Sequence, residues 1–341
     1  MVNTKMAELI NPRGANDKVE LISKIQQSIK DLMEFKVYYG ETQETVFNIE
    51  LSLKYVWKEI EKKKFTSKSA QSAIELTFSI LEGVYYDEVR EYAAMLSAVF
   101  NKAFDKERGI MVAEKFDAKN AFMYVLEIYA NLRAMEALYL LIKQNRDIES
   151  FFLKGDLDVF RLRAFGILVA ISDYYTRHNN IGPDKRQALV EELDKYLSRY
   201  YGMIENRHEH LERDIDTITA MLEANEDITR GTYNVLSEAI DNMWEYYNLA
   251  ITPANPAGLV LSKKAWNEEE QRIDAEDVDF DATIINLMET YADFKALQAL
   301  YDVLCNDTYT LCFDDFQKHL DEALKNAKEA LHLIAEFYIT F

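Results

Sequence analysis

Proline is scarce in this sequence. Pro12, Pro183, Pro253 and Pro256 are the only four, and none falls between Arg13 and Gly182. Proline inside a helix costs about 3 kcal/mol, so a proline-free run of that length, with 10 glycines in the whole chain, is what long helices permit. Cysteine is limited to Cys305 and Cys312, which excludes a disulfide-rich framework. Their spacing sets them near one face of a helix, separated by an axial rise of about 10 Å that no disulfide spans. Reduced thiols, and with them a reducing cytoplasmic compartment, are the expectation.

Other absences narrow the function. Residues 1–16 lack the apolar core of a signal peptide. The most apolar stretch, Phe165 to Ile171, falls far short of the roughly 20 residues that span a bilayer. Five histidines, His178, His208, His210, His319 and His332, are scattered. There is no Gly-x-Ser-x-Gly, no glycine-rich phosphate loop and no cysteine pair with zinc spacing. Neither catalytic residues nor a cofactor are expected.

What is present is apolar bulk and acid. Hydrophobic residues make up 49% of the chain and aromatics 12%, enough to build real cores and too much for disorder. The formal net charge is −20. Residues 1–176 hold 26 acids and 24 bases, so nearly all of the excess falls in residues 177–341. Charge of this sign repels phosphates and anionic membranes, so no direct nucleic-acid or membrane contact is expected, and a basic protein surface is the natural partner.

Periodicity reads as all-α. Val125, Ile128, Leu132, Met135, Tyr139 and Ile142 recur at three- and four-residue steps, one face of a helix. Leu287, Thr290, Phe294, Leu297, Tyr301 and Leu304 repeat that phase. The two segments also align directly at an offset of 162: Leu126 to Tyr139 and Met288 to Tyr301 share seven of fourteen residues, among them Glu127/Glu289, Tyr129/Tyr291 and Tyr139/Tyr301. Tyr38-Tyr39-Gly40 returns as Tyr200-Tyr201-Gly202 at the same offset.

The chain therefore reads as two tandem, diverged helical-bundle units of about five or six helices each. Residues 1–16 are an N-terminal extension, 17–176 the first unit, 177–183 a polar linker carrying Gly182-Pro183, and 184–341 the second unit. Helices are expected near 17–38, 41–63, 67–86, 88–105, 118–145 and 156–176, then near 184–201, 203–225, 229–249, 282–305 and 313–340. The helix near 88–105 has no clear counterpart. In its place the second unit carries an acidic insertion, 250–281, read as a long loop. Adjacent tyrosines such as Tyr85-Tyr86 and Tyr246-Tyr247 cannot share one helix face, so one of each pair is expected toward a boundary.

Three constellations are candidate sites. The acidic run Glu268, Glu269, Glu270, Asp274, Glu276, Asp277, Asp279 and Asp281 is the candidate partner-binding segment. It fails as an EF-hand, because the positions that need glycine and glutamate are Ala282 and Met288. Asp173, Glu205, His208, Asp293, Glu329 and His332 contain two Glu-x-x-His pairs at intervals that resemble di-iron carboxylate proteins, which would make them metal ligands. Helix phase argues against this, since Glu329 and His332 share a polar face with Glu322, Lys325 and Glu336. Asn306 to Asp314 loosely resembles the second magnesium motif of class I terpene synthases over nine residues, without that family's upstream aspartate-rich partner motif.

The expected function is that of a non-enzymatic interaction or structural protein presenting an acidic surface to protein partners. An acidic nucleic-acid mimic that occupies another protein's binding site is the alternative, and a di-metal carboxylate oxidoreductase is the third. A homo-oligomer is compatible with the sequence, although no residue specifies one.

Overall fold

The computed structural model describes residues 43–62, 68–105, 107, 110–111, 115, 117–146, 151–178, 187–189, 191, 193, 210–251, 266–267, 272–274, 277–278, 280–305 and 311–339. Helix α1, Gln43–Lys62, buries Ile49, Leu53, Val56 and Ile60, a single stripe at helical spacing, and Lys62 complements the dipole at its last turn. Helix α2, Lys68–Gly83, turns Ala70, Ala73, Ile74, Thr77, Phe78 and Leu81 inward. Phe78 meets Trp57 of α1 with ring centroids 5.2 Å apart.

A π-helical turn, Val84–Val89, joins α2 to α3, Arg90–Ala103, where the Arg90 N–H donates to the Tyr85 carbonyl. The sequence suggested two separate helices here; the extra residue of a π turn lets one rod continue while the buried face shifts. Tyr85 is buried and Tyr86 half-buried, as expected for neighbours on a helix. Tyr246 and Tyr247 depart from that rule, both being buried.

Strand β1, Phe104–Asp105, pairs antiparallel with β2, Ile110–Met111. Helix α4, Ala118–Arg146, starts behind Asp117, whose Oδ1 accepts the Asn120 N–H at 3.1 Å as an N-cap. Helix α5 covers Phe151–His178, and α6 is described over residues 210–224. Thr229 caps α7, Arg230–Ile251, by accepting the Thr232 N–H. Strands β3, Trp266–Asn267, and β4, Arg272–Ile273, form a second antiparallel pair. Helix α8 is Phe280–Leu304, and α9, Asp314–Ile339, opens on two acids that suit its N-terminal dipole.

Helices α4 and α8 carry buried residues on every side, so they are the central pair, whereas α1 and α9 have one apolar stripe each. Helix α8 packs most extensively on α4 and α7, and α4 also packs on α5, α3 and α2. Alanines thin the central helices: Ala130, Ala134 and Ala137 on α4, and Ala292, Ala296 and Ala299 on α8. Buried residues from both halves of the chain form one continuous hydrophobic cluster.

The described elements repeat the sequence offset. The first residues of α2, β1, β2 and α4 are Lys68, Phe104, Ile110 and Ala118; those of α7, β3, β4 and α8 are Arg230, Trp266, Arg272 and Phe280, each 162 positions later. The segment 250–281, expected as a loop without secondary structure, thus holds a strand pair at the spacing of β1 and β2. Two-residue strands carry no alternation to read, which is why the sequence showed none. The molecule is predominantly helical, and no described helix is long and apolar enough to cross a membrane.

The cysteines differ from expectation. Helix α8 ends at Leu304, so Cys305 and Cys312 do not share a helix; the chain returns and their Cα atoms lie 4.6 Å apart, with the two paired as a disulfide. The argument from axial rise required a helix that has already stopped, and the support it lent to reduced thiols and a reducing compartment is gone.

Candidate functional site

Among the described residues, buried polar side chains gather in the seam between α4 and α8. Tyr129 of α4 donates its hydroxyl to Glu289 Oε1 on α8 at 2.6 Å. Tyr291 of α8 donates to Glu127 on α4, at 3.0 Å to Oε1 and 3.1 Å to Oε2. Arg133 Nε donates to Asp293 Oδ1 at 3.0 Å. The partners in these three contacts are 160, 164 and 160 positions apart. A nearly constant difference means that α4 and α8 run parallel and close to register.

The seam is charged and largely dry. Glu127 is 3% exposed, and Lys328 of α9 reaches its Oε1 at 2.5 Å. Lys119 of α4 reaches Glu336 of α9 at 2.6 Å. From Lys119 to Glu127 the chain advances along α4 while their partners step back from Glu336 to Lys328, so α9 lies antiparallel to α4. Arg133 also donates to Glu136 at 3.2 Å, Arg161 of α5 approaches the same carboxylate at 3.4 Å, and the Arg133 guanidinium sits 5.2 Å from the Tyr246 ring centroid. Two acids and two guanidiniums therefore share one chain of contacts, the arrangement buried charge requires.

Burial pushes the Tyr129 and Tyr291 phenols well above their ordinary range, and the carboxylates they face add to the shift. Both stay protonated donors. Burial likewise raises the Asp293 carboxyl to about 6, against the opposing pull of Arg133.

A second cluster ties α6 to α9. His319 Nδ1 lies 2.6 Å from Oδ2 of Asp214, which is 1% exposed. His210 stacks on His319 with centroids 5.2 Å apart, and Arg213 lies 2.8 Å from His210 Nδ1. Because arginine only donates, that nitrogen is the acceptor. Beside this cluster Tyr301 grips the start of α9: its hydroxyl donates to the Phe313 carbonyl at 2.9 Å and accepts the Phe313 N–H at 2.6 Å.

The sequence candidates distribute differently. Asp293 belongs to the seam and pairs with Arg133. Glu329 is exposed, and His332 lies 3.6 Å from Glu336 on its own helix. Asp173 lies within α5, with its side chain outside the described residues, as are Glu205 and His208. No group of three or more metal-ligating side chains gathers among the described residues. In the acidic run, Asp274 accepts from Asn267 Nδ2 at 2.9 Å and Asp277 is exposed. The side chain of Asp281, and Glu268, Glu269, Glu270, Glu276 and Asp279 entirely, lie outside the described residues, as do Asn306 to Thr310. Sequence reasoning missed the pairing of Tyr129 with Glu289 and of Tyr291 with Glu127, although the offset had marked all four residues. It also missed Asp214 and His319, which no local pattern links.

No protein-family model, curated protein or solved structure compared with the chain matches it.

Proposed function

We propose that this is a non-enzymatic interaction protein, built as two related helical units, whose second half presents acidic helices to a basic protein partner. The placement of exposed carboxylates carries the reading. Glu212, Asp216 and Glu223 are exposed along one side of α6, Asp241 and Glu245 on α7, and Asp314, Asp315, Asp321 and Glu329 on α9. Arg213, Arg230, Lys318 and Lys325 are the exposed bases on the same described helices. Exposed carboxylates are thus spread over three helices outside the run at 268–281.

The buried charges support a structural role for the seam. Glu127, Asp293 and Glu136 are each engaged by a cation, which leaves them poorly placed to move protons for a substrate. Relatedness of the two units rests on the shared 162-residue offset in residues, in element starts and in the parallel contact of α4 with α8.

The test is partner capture by the full chain at about 0.1 M and 0.5 M salt. A variant with Glu212→Lys, Asp216→Lys and Glu223→Lys is compared with the parent chain. Partners held at low salt, and lost both at high salt and with the variant, support the reading. Capture indifferent to both changes ends it.

The same carboxylates favour a second reading, an acidic mimic that occupies a nucleic-acid-binding protein. Duplex DNA added during capture separates the two: displacement of the partner favours the mimic. For a di-metal oxidoreductase the described members offer little, because Asp293 faces Arg133 and Glu329 faces solvent.

A further inference from the structure

We infer that Cys305 and Cys312 form a reversible thiol–disulfide exchange site at the corner between α8 and α9, with Cys312 as the sulfur that an external thiol attacks. This inference is independent of the proposed function. Three observations carry it. Cys305 directly follows the last residue of α8 and Cys312 lies two residues before α9, so the bridge closes the corner itself. Cys312 is exposed, whereas Cys305 is half-buried and packs against the core, so Cys312 is the more accessible of the two. Tyr301 holds Phe313 by two hydrogen bonds that do not involve sulfur, so the corner stays shut when the bridge opens.

The chemistry follows from access. A thiolate from a small thiol or a dithiol protein attacks the Cys312 sulfur. A new S–S bond forms there, the Cys305–Cys312 bond breaks, and Cys305 leaves as a thiolate that takes a proton from water. A second thiolate of the reagent then attacks its own sulfur in the mixed disulfide and releases Cys312. The pair has gained two electrons and two protons, and the reagent ends as a disulfide. Closure is the reverse reaction, with a disulfide such as oxidised glutathione as the electron acceptor. Because Tyr301 keeps the two cysteines near each other, closure by Cys305 competes with a second external thiol at high effective concentration. A chain without that clamp would accumulate mixed disulfides.

The test uses the full-length folded protein. It is equilibrated with dithiothreitol or with oxidised glutathione, quenched with N-ethylmaleimide, and measured by intact mass and peptide mapping. The expected result is two maleimide adducts after reduction, none after oxidation, and recovery of each state from the other without unfolding. In Cys305→Ser, glutathione should accumulate on Cys312 at least tenfold faster than it accumulates on Cys305 in Cys312→Ser. Because Cys305 packs against the core, mapping of the transient glutathione adduct on the unmutated chain gives the same answer without a variant, and it should fall on Cys312. Two adducts after oxidation, no adduct after reduction, or glutathione found chiefly on Cys305 would each overturn the assignment.

Discussion

Tyr291 on α8 donates its hydroxyl to both oxygens of Glu127 on α4, and the residues at the matching positions of the opposite helices, Tyr129 and Glu289, make the same contact in return. The contact is reciprocal in kind and unequal in setting. Glu127 is buried, while Glu289 is half-exposed. Water can replace a lost donor at the second site and has little access to the first.

Tyr291→Phe should therefore cost more than Tyr129→Phe. Losing one donor to the buried Glu127 carboxylate, which keeps Lys328, costs about 2 kcal/mol, and a hydrogen bond that water replaces costs about 1 kcal/mol. Urea denaturation of the two variants at neutral pH measures the difference. Equal losses would mean that the two ends of the seam are equally wet.

Asp293 makes stability depend on pH. Its folded pKa, raised to about 6 by burial against Arg133's opposing pull, stands above its ordinary 3.8, so the folded state holds this proton more tightly than the unfolded state. The carboxyl's contribution to stability is full below about pH 4 and is lost as pH rises through about 6, a change on the order of 2–3 kcal/mol. Asp293→Asn should flatten the pH dependence of unfolding between pH 4 and 7. At pH 7 it should leave the fold no weaker than the parent, because the amide keeps an acceptor for Arg133 and removes the carboxylate charge whose burial is unfavourable. Denaturation midpoints for the parent and the variant at several pH values, with the acid arm compared between them, provide the check.

His319→Ala should be among the costlier single changes. It strips the imidazole from Asp214, whose carboxylate is almost wholly buried, and leaving a buried polar group without its partner costs about 1–3 kcal/mol. Asp214→Asn, which keeps an acceptor for His319 and removes the charge, should cost about 1 kcal/mol. A double-mutant cycle between the two positions should return a coupling well above the few tenths expected of independent sites.

The three substitutions proposed on α6, at Glu212, Asp216 and Glu223, should leave the thermal midpoint nearly unchanged, since exposed changes of this kind are usually within about 0.5 kcal/mol each. A fall of more than a few degrees in differential scanning calorimetry would show that these carboxylates serve the fold.

Local pattern alone determines much of this protein. The apolar steps from Val125 to Ile142 and from Leu287 to Leu304 mark α4 and α8, because a helix must present its buried residues every three or four positions. The same steps understate them, since both helices are buried on every side and no single stripe describes such a rod. The offset of 162 aligns Tyr129 with Tyr291 and Glu127 with Glu289, but says nothing of whether the two segments meet. Only the tertiary structure decides that they lie parallel and exchange partners, because that choice depends on how two distant helices pack. The cysteines and Asp293 teach the same lesson from the other side. A spacing of seven implies a shared helix only while the helix lasts, and α8 stops at Leu304. The intervals around Asp293 suit a metal site, yet its side chain meets Arg133, 160 positions earlier. Sequence periodicity records which way each residue faces relative to its neighbours along one helix; what waits on that side is set by contacts between segments far apart in the chain.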